Sequence, residues 1–313
     1  MRKSVKRLLV TVGCVAGVVA LAAGAGATAQ GVASARDADR LQDYGTRIEL
    51  DAGSVNVLDI GGEAAAGSPT IVLLPGFGTA APAIDFAPLI DELAGQARVL
   101  AYEPLGTGLS DDTDVPRTVT AYSEELHETL ARLGVERPVL MGHSIAGIYA
   151  LDYTNRYPGE VEAFVGIDSS VPGQPGADEA VPTDGVQTLK ALGVLRALNA
   201  VADDPYSRAP YTDTQREQTR ILTNRNSMDH AMISESAELP GTFAAVADLT
   251  FPTDLPVLFF VAHDPELADW QRMHEEQAAA VQRSAVIELP GEHYLHHTSS
   301  PRIARETFAF LAN

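Results

Sequence analysis

Short apolar runs, each ending at glycine, proline or a polar residue, alternate with helix-forming segments along most of this chain. Continuous apolar runs of this length are typical of strands that are buried on both faces of a sheet. Strands that alternate with helices predict a mostly parallel sheet with helical crossovers. The runs are TIVLL, RVLAY, PVLM, AFVGI, PVLFFV and AVIEL, and the alternating segment TRIELDAGSVNVLDIGG before them predicts a β-hairpin.

The alternation of strands and helices stops between residues 171 and 250. That stretch has no convincing strand, and two Pro/Gly-rich stretches lead into helical segments near Val186–Val201, Asp213–Asn224 and Met228–Glu238. Thr212, with Gln215 three residues later, predicts a capping box at the start of the second segment. An insertion of about 80 residues is far longer than an ordinary loop. We therefore predict an α/β core over residues 41–170 and 251–313, and an all-helical cap over residues 171–250.

The first 29 residues have the layout of a signal peptide. Four basic residues within the first seven positions precede a long uncharged segment, which ends in the small residues Ala27-Thr28-Ala29. We expect residues 1–29 to be removed, residues 30–40 to form a polar linker, and the protein to be secreted or held in the cell envelope. The alternative is a retained membrane anchor over residues 8–29, since about 20 apolar residues can span a bilayer.

The charge and the cysteine content exclude several kinds of function. The chain has 42 acidic and 22 basic residues, a net charge of −20, and removal of the four basic residues of the leader makes it −24. A chain this acidic repels nucleic acid and anionic lipid, so we expect it not to bind nucleic acid. We expect membrane contact only through an uncleaved N-terminal segment. Cys14 is the only cysteine and lies in the leader. The mature chain is therefore predicted to lack disulfides, catalytic thiolates and cysteine-bound zinc.

Ser144 lies between a predicted buried strand and a predicted buried helix, in the segment GHSIAG. So sharp a turn strains the backbone of the serine and leaves room only for small residues two positions before and after it, here Gly142 and Ala146. The N-terminus of the following helix also favours negative charge that develops on a substrate. A serine that merely caps the helix would not explain both small residues. We therefore interpret Ser144 as a nucleophile.

Four motifs together make the chain from about Thr46 to its C-terminus similar to the α/β-hydrolase superfamily. They are LLPGFG after the third strand, YEPLGTGLSD after the fourth, GHSIAG at the serine turn and GEHYLHH after the last strand. The resemblance implies the α/β-hydrolase fold, a mostly parallel central sheet flanked by helices, with a helical cap. Two departures are Pro75-Gly76, where the family usually has His-Gly, and Ala146, where it usually has a second glycine. Neither should disable the site, because alanine is tolerated there and the oxyanion hole uses main-chain N–H groups.

The resemblance also assigns roles to residues that act with Ser144. His293 is the base, in a Gly-x-His variant of the motif that follows the last strand. The donors to the oxyanion are the N–H groups of Phe77 and of Ile145, directly after the serine. Phe77 is a reasonable donor on its own terms, because it lies in a loop flanked by glycines that can approach a ligand closely.

Two aspartates are candidates for the acid that orients the base. Asp264, in FFVAHDP, is in the usual family position, and Asp168, in VGIDSS, is in the known alternative position. Both preserve the chain order Ser, Asp, His. We predict Asp264, because it follows the strand nearest in sequence to His293. We expect no metal site, since His293, His296 and His297 lack a carboxylate partner at helical spacing. No organic cofactor is expected either, because acyl transfer by a serine requires none.

These residues predict a serine hydrolase that cleaves small-molecule carboxylic esters or lactones through an acyl-enzyme. Family members that open epoxides or remove halide carry an aspartate at the serine position, so those reactions are not expected. A proline-iminopeptidase-like aminopeptidase or amidase is the alternative, in which Glu235, Glu238 or Asp229 of the cap would hold a substrate amine. A catalytically silent binding module of the cell envelope is an alternative of another class.

Overall fold

The computed structural model describes residues 2–61, 67–208, 210–263 and 269–312. The chain divides into two compact units. The sheet unit comprises residues 43–182 and 204–313, and the N-terminal unit comprises residues 1–42 and 183–203.

One sheet of eight strands forms the centre of the sheet unit among the described residues, in the order β1-β2-β4-β3-β5-β6-β7-β8. The first two strands form the predicted antiparallel hairpin, the second also pairs antiparallel with the fourth, and the remaining pairs are parallel. The predicted fold class is confirmed. The strands are β1 (Thr46–Leu50), β2 (Gly53–Ile60), β3 (Thr70–Leu74), β4 (Arg98–Glu103), β5 (Val139–His143), β6 (Ala163–Ile167), β7 (Val257–Ala262) and β8 (Ser284–Leu289).

Helices cover both faces of this sheet. Neighbouring residues of β3 belong to different apolar clusters, because side chains alternate between the two faces of a strand. Val72 packs in one cluster with α4 and α5, and Leu73 packs in the other with α3 and α12. The described α-helices are α1 (Arg2–Arg40), α2 (Pro82–Asp85), α3 (Ala87–Leu93), α4 (Val119–Arg132), α5 (Ala146–Arg156), α6 (Val186–Ala191), α7 (Val194–Asn199), α8 (Asp213–Asn226), α9 (His230–Ala245), α10 (Trp270–Ala278), α11 (Leu295–Thr298) and α12 (Ser300–Leu311), and a short 3-10 helix spans Pro205–Arg208.

The register of the parallel strands determines which loops meet at the carboxyl edge of the sheet. His143, the last residue of β5, is paired with Ile167, the last residue of β6. The residues that follow, Ser144 and Asp168, therefore leave the sheet side by side. Ligand sites of open α/β sheets lie at this edge.

The inserted segment is helical, as predicted, but it differs in detail. The single helix predicted over 186–201 is two helices, α6 and α7, because Gly193 between them has a left-handed φ of 76°. The capping box of Thr212 and Gln215 at the start of α8 is confirmed. The predicted cap also does not form one compact unit, since residues 183–203 group with residues 1–42.

The N-terminal unit consists of α1 with α6 and α7. The linker predicted over 30–40 is helical and continuous with the residues before it; this stretch has no proline and is rich in alanine, which favours a helix. Arg196 of α7 donates to Gln30 Oε1 at 2.8 Å and to Ser34 Oγ at 3.2 Å, and it pairs with the carboxylate of Asp37. Within the part of the chain that the structure describes, we find no helix whose length and apolar character would let it cross a membrane.

Candidate active site

Ser144 occupies the turn between β5 and α5 in a left-handed conformation, with φ of 56°. Residues with a Cβ rarely adopt this conformation, and it persists only where the surroundings hold it. Here the Ser144 amide donates to the carbonyl of Ile167 at 3.3 Å, and its own carbonyl accepts from the amides of Ser170 at 2.7 Å and Gly147 at 3.0 Å. The backbone strain that the sequence predicts at Ser144 is therefore confirmed by its left-handed φ.

The turn also requires the small residues that surround it. A Cβ built on Gly142 would lie 2.9 Å from the Cβ of Ala146, closer than real Cβ atoms approach. A Cβ on Gly76 would lie 2.9 Å from Nδ1 of His143 and 3.0 Å from the Cβ of Ser144. The predicted reason for Gly142 is confirmed, and Gly76 brings the loop after β3 directly against the serine.

His293 lies in the loop after β8, with 45% of its side chain exposed. Its Nδ1 is 2.6 Å from Oδ2 of Asp168, whose side chain is only 6% exposed. A carboxylate accepts hydrogen bonds, so the proton of the neutral imidazole is on Nδ1 and Nε2 carries the lone pair. This tautomer is the one that a general base needs.

Asp168 directly follows β6 and has a left-handed φ of 44°. Its Oδ1 accepts from the amide of Ala262 at 2.9 Å and from the indole Nε1 of Trp270 at 2.7 Å. Burial alone would raise the pKa of Asp168, but the bonds from His293, Ala262 and Trp270 lower it below its ordinary value. The carboxylate is therefore ionised at neutral pH.

The predicted acid, Asp264, lies outside the described residues. The carboxylate that the structure brings to His293 is that of Asp168, which the sequence offered as the alternative. Strand order explains why Asp168 lies in the site. Because β6 lies beside β5, the residue that follows β6 is next to the serine turn. Nearness in sequence to His293, on which the choice of Asp264 depended, does not measure this distance across the sheet.

Both predicted oxyanion donors flank Ser144. Ile145 immediately precedes α5 and has a right-handed helical φ of −52°. Phe77 follows Gly76, and the parallel pairing of Leu74 with Gly142 holds this loop next to the serine turn. Phe77 and Ile145 therefore stay the predicted donors to an oxyanion.

A cavity of about 540 Å³ opens beside the serine turn and the loop that carries His293. Its size is in the range of pockets that bind small organic molecules. Ser144, Asp168 and His293 line it together, along with Trp270 and Gln174, which the sequence did not single out. Gln174 lies in the first residues of the predicted cap, so the insertion contributes to the wall. A lone tryptophan and a lone glutamine carry no sequence signal that would mark them for this position.

The carboxylates proposed to hold a substrate amine all lie on or next to α9. Glu235 accepts a hydrogen bond from the hydroxyl of Tyr149 at 2.5 Å. Burial raises the pKa of Glu235, although this bond and the charge of Arg117 act in the opposite direction. Asp229 directly precedes α9, and Glu238 lies within it.

Two of the histidines after β8 have a carboxylate neighbour from a distant part of the chain, not at helical spacing. Asp85, at the end of α2, lies in hydrogen-bond contact with both His296 and His297. These three residues are the candidate metal group among the described residues, and all are buried. Helical spacing could not reveal this partner, because more than 200 positions separate it from the histidines.

A strained serine turn at the carboxyl edge of a mostly parallel sheet, beside a histidine held by an aspartate, defines a protein of the α/β-hydrolase class. The model of the alpha/beta hydrolase family matches residues 71–306, and the chain belongs to this family. The protein YbdG of Bacillus subtilis is 24% identical over 291 residues, a match that covers 88% of each chain. The candidate carbamate hydrolase RutD of Cronobacter turicensis is 33% identical over 104 residues, which is 33% of this chain and 38% of RutD.

A solved structure of a carboxylesterase from the thaumarchaeon Nitrososphaera gargenis is similar in fold, with a TM-score of 0.60. It is 18% identical, and the match covers 85% of this chain and 98% of that one. Family membership and these neighbours support hydrolase activity, and the family implies a small-molecule substrate.

Proposed function

We propose that the protein hydrolyses carboxylic esters or lactones of small molecules through an acyl-enzyme formed on Ser144. One observation carries this proposal: the strained Ser144 lines the same cavity as His293, whose Nδ1 lies 2.6 Å from the Asp168 carboxylate. A nucleophile, a base and an orienting acid are the three groups that acyl transfer by serine requires.

In the first half of the proposed reaction, Oγ of Ser144 attacks the carbonyl carbon while Nε2 of His293 accepts the hydroxyl proton. Asp168 keeps the Nδ1 proton in place and stabilises the imidazolium. The negative oxygen of the tetrahedral intermediate accepts hydrogen bonds from the N–H groups of Phe77 and Ile145. The intermediate collapses, the C–O bond to the leaving group breaks, and the alcohol leaves with the proton from His293.

In the second half, water attacks the acyl-enzyme and His293 accepts a proton from it. The same two N–H groups stabilise the second tetrahedral intermediate. The carboxylic acid leaves, and Oγ of Ser144 recovers its proton from His293. Every proton transfer in this scheme uses the one ring nitrogen that does not face Asp168.

The choice of small esters has three supports. The cavity of about 540 Å³ suits a small substrate. The neighbour from Nitrososphaera gargenis, which shares the fold, is named as a carboxylesterase. Glu235, one of the three cap carboxylates that an aminopeptidase could use for a substrate amine, already accepts a bond from Tyr149.

A substrate panel tests the proposal. p-Nitrophenyl esters of several acyl lengths, simple lactones and aminoacyl anilides are assayed with the wild type and with Ser144→Ala. We expect ester or lactone cleavage that the variant loses. Faster cleavage of anilides would favour the amidase alternative, and no turnover by well-folded wild type on any of them would favour a silent binding module.

A further inference from the structure

A second polar cluster lies directly behind the turn that follows His293. Asp85 and His296 have no exposed side-chain surface, and His297 is 6% exposed. Oδ2 of Asp85 accepts from Nε2 of His296, and Oδ1 accepts from Nε2 of His297, both at 2.8 Å. One carboxylate thus binds both histidines of α11.

The same aspartate binds two tyrosines of the inserted segment. The hydroxyl of Tyr206 donates to Oδ1 of Asp85 at 3.1 Å, and the hydroxyl of Tyr211 donates to its main-chain carbonyl at 2.6 Å. Burial alone would raise the pKa of Asp85, but His296 and His297 outweigh it and lower the pKa well below its usual range. The buried carboxylate is therefore ionised, and bonds to an ionised acceptor are stronger than neutral ones.

The cluster is connected to the proposed base through His143. The ring of His296 packs edge to face on the ring of His143, with centroids 4.6 Å apart. Nε2 of His143 lies 3.2 Å from the main-chain carbonyl of His293, and since a carbonyl only accepts, His143 donates this bond. A shift of His296 would therefore displace the ring that holds the backbone of His293.

The cluster is also connected to the proposed oxyanion loop. Asp85 is the last residue of α2, and this helix begins at Pro82, shortly after Phe77. The amide of Asp85 donates to the carbonyl of Ala81 at 2.9 Å, which ties the residue to the end of that loop. The loop that supplies Phe77 and the turn that supplies His293 therefore meet at one buried carboxylate.

We propose that Asp85 is a positioning residue, which holds the turn carrying His293 in register with the oxyanion loop by binding His296 and His297. This inference rests on the proposed function, because it takes His293 as the base. The ligand atoms of the cluster lie within 4.8 Å of one another, a spacing that also suits a metal ion. Both carboxylate oxygens and both Nε2 atoms are already hydrogen-bonded to each other, so a bound metal is an outcome of the test and not part of the proposal.

The test compares Asp85→Asn with a matched control, Asp152→Asn. Asparagine keeps the size of Asp85 but loses its charge and one of its two acceptors. Asp152 is also a mostly buried aspartate, and it accepts from Ser123 at 2.7 Å and from Arg156 at 3.1 Å, away from the histidine turn. We expect kcat to fall roughly 10- to 100-fold in Asp85→Asn, with KM nearly unchanged, because small displacements of a base are costly. Asp152→Asn should keep kcat within about twofold.

Adding each change to His293→Ala separates positioning from general damage. If Asp85 acts through His293, Asp85→Asn should leave the residual rate of His293→Ala unchanged within about twofold. An equal loss in both backgrounds, or full kcat in folded Asp85→Asn, would overturn the proposal. So would one equivalent of transition metal in the purified wild type that Asp85→Asn loses. Failure of the proposed function is distinguishable, since His293→Ala itself would then remain active.

A second pair of variants keeps the test decisive if Asp85→Asn does not fold. His297→Gln retains an N–H donor close to the position of Nε2, whereas His297→Leu removes the donor from Asp85. We expect His297→Gln to retain more of the wild-type kcat than His297→Leu at equal KM. Equal kcat in the two variants would contradict the role of the Asp85 bond.

Discussion

Asp168 and His293 are 125 positions apart in the chain, yet Oδ2 of the first lies 2.6 Å from Nδ1 of the second. Two strands on the same side of the serine turn make this contact possible, because β6 ends beside β5 and β8 ends two strands farther along the sheet. The contact selects the histidine tautomer that a general base needs.

Replacement of the proposed nucleophile should abolish turnover without unfolding the protein. Ser144→Ala should lower ester hydrolysis by at least about 10⁴-fold, since removal of a serine nucleophile leaves only binding and oxyanion effects. A fluorophosphonate probe should label the wild type and not the variant. Persistent labelling of a variant with an unchanged circular-dichroism spectrum would mean that the nucleophile is another residue.

Replacement of the acid should identify which aspartate orients the base. Asp168→Asn should reduce kcat at neutral pH by up to about 10⁴-fold, because the amide favours the wrong histidine tautomer. Asp264→Asn should keep at least roughly a tenth of the wild-type kcat. The comparison needs melting temperatures for both variants, because loss of a buried, hydrogen-bonded acid also destabilises the fold. The reverse order of damage would assign the role to Asp264.

A methyl group on the loop after β3 should impair the site more than the fold. The Cβ of Gly76→Ala would contact Nδ1 of the buried His143 and the Cβ of Ser144, so the loop must move away from the serine. We expect kcat to fall roughly 10- to 100-fold. Gly95→Ala is the control, because the Cβ there meets no atom within 4 Å; its steady-state kinetics should equal those of the wild type.

The partly buried carboxylate of Glu235 should make stability depend on pH. Because burial raises the pKa of Glu235, its ionisation lowers the free energy of unfolding as the pH rises from the ordinary value through the raised one. Glu235→Gln keeps an acceptor for the Tyr149 hydroxyl and removes the ionisation. The variant should melt above the wild type at about pH 8, and the difference should close below about pH 4. Melting curves in which the difference widens on acidification would contradict this sign.

Removal of the tyrosine hydroxyl that binds Glu235 should lower the stability of the protein, whereas Glu235→Gln should raise it at about pH 8. Tyr149→Phe leaves the carboxylate without the 2.5 Å bond from the hydroxyl, at a cost of about 1–3 kcal/mol of unfolding free energy. Urea denaturation at neutral pH measures this cost. A variant as stable as the wild type would mean that the bond contributes nothing net.

The basic and apolar leader should direct export. Expressed in its native host, the protein should be found outside the cytoplasm with an N-terminus near Gln30, which N-terminal sequencing or intact mass reveals. Recovery of the full-length chain from the membrane fraction would instead support an anchor over residues 8–29.

The sheet was predictable because each of its strands can be recognised from its own residues. In Thr70–Leu74, for example, the last four residues are apolar and buried, as is typical of a strand covered on both faces. Helix ends were less predictable: the break at Gly193 depends on one residue adopting a left-handed φ, which a helical pattern on both sides conceals. The helix through residues 30–40 also contacts Arg196, far along the chain, a partner that its own residues do not reveal.

Some residues of the candidate site were also predictable from local motifs, whereas contacts between distant residues were not. Ser144 lies in a motif whose spacing reflects a local turn, and the structure shows that turn. The donor roles of Phe77 and Ile145 came from the family resemblance and stay predictions. The contact of Asp168 with His293 depends on strand order, and the contact of Asp85 with His296 depends on the packing of α2 against α11. Pairs so distant in the chain leave no local pattern in one sequence.

Trp270 is the only tryptophan in the chain, and its indole donates to Asp168 inside the cavity wall. Indole emission responds to changes in hydrogen bonding and in nearby charge. The protein therefore carries its own fluorophore one hydrogen bond away from the carboxylate that contacts His293. An acyl group on Ser144 would occupy the cavity that Trp270 also lines and should alter the intrinsic fluorescence, so stopped-flow optics should follow a single turnover without any chromogenic substrate or attached dye.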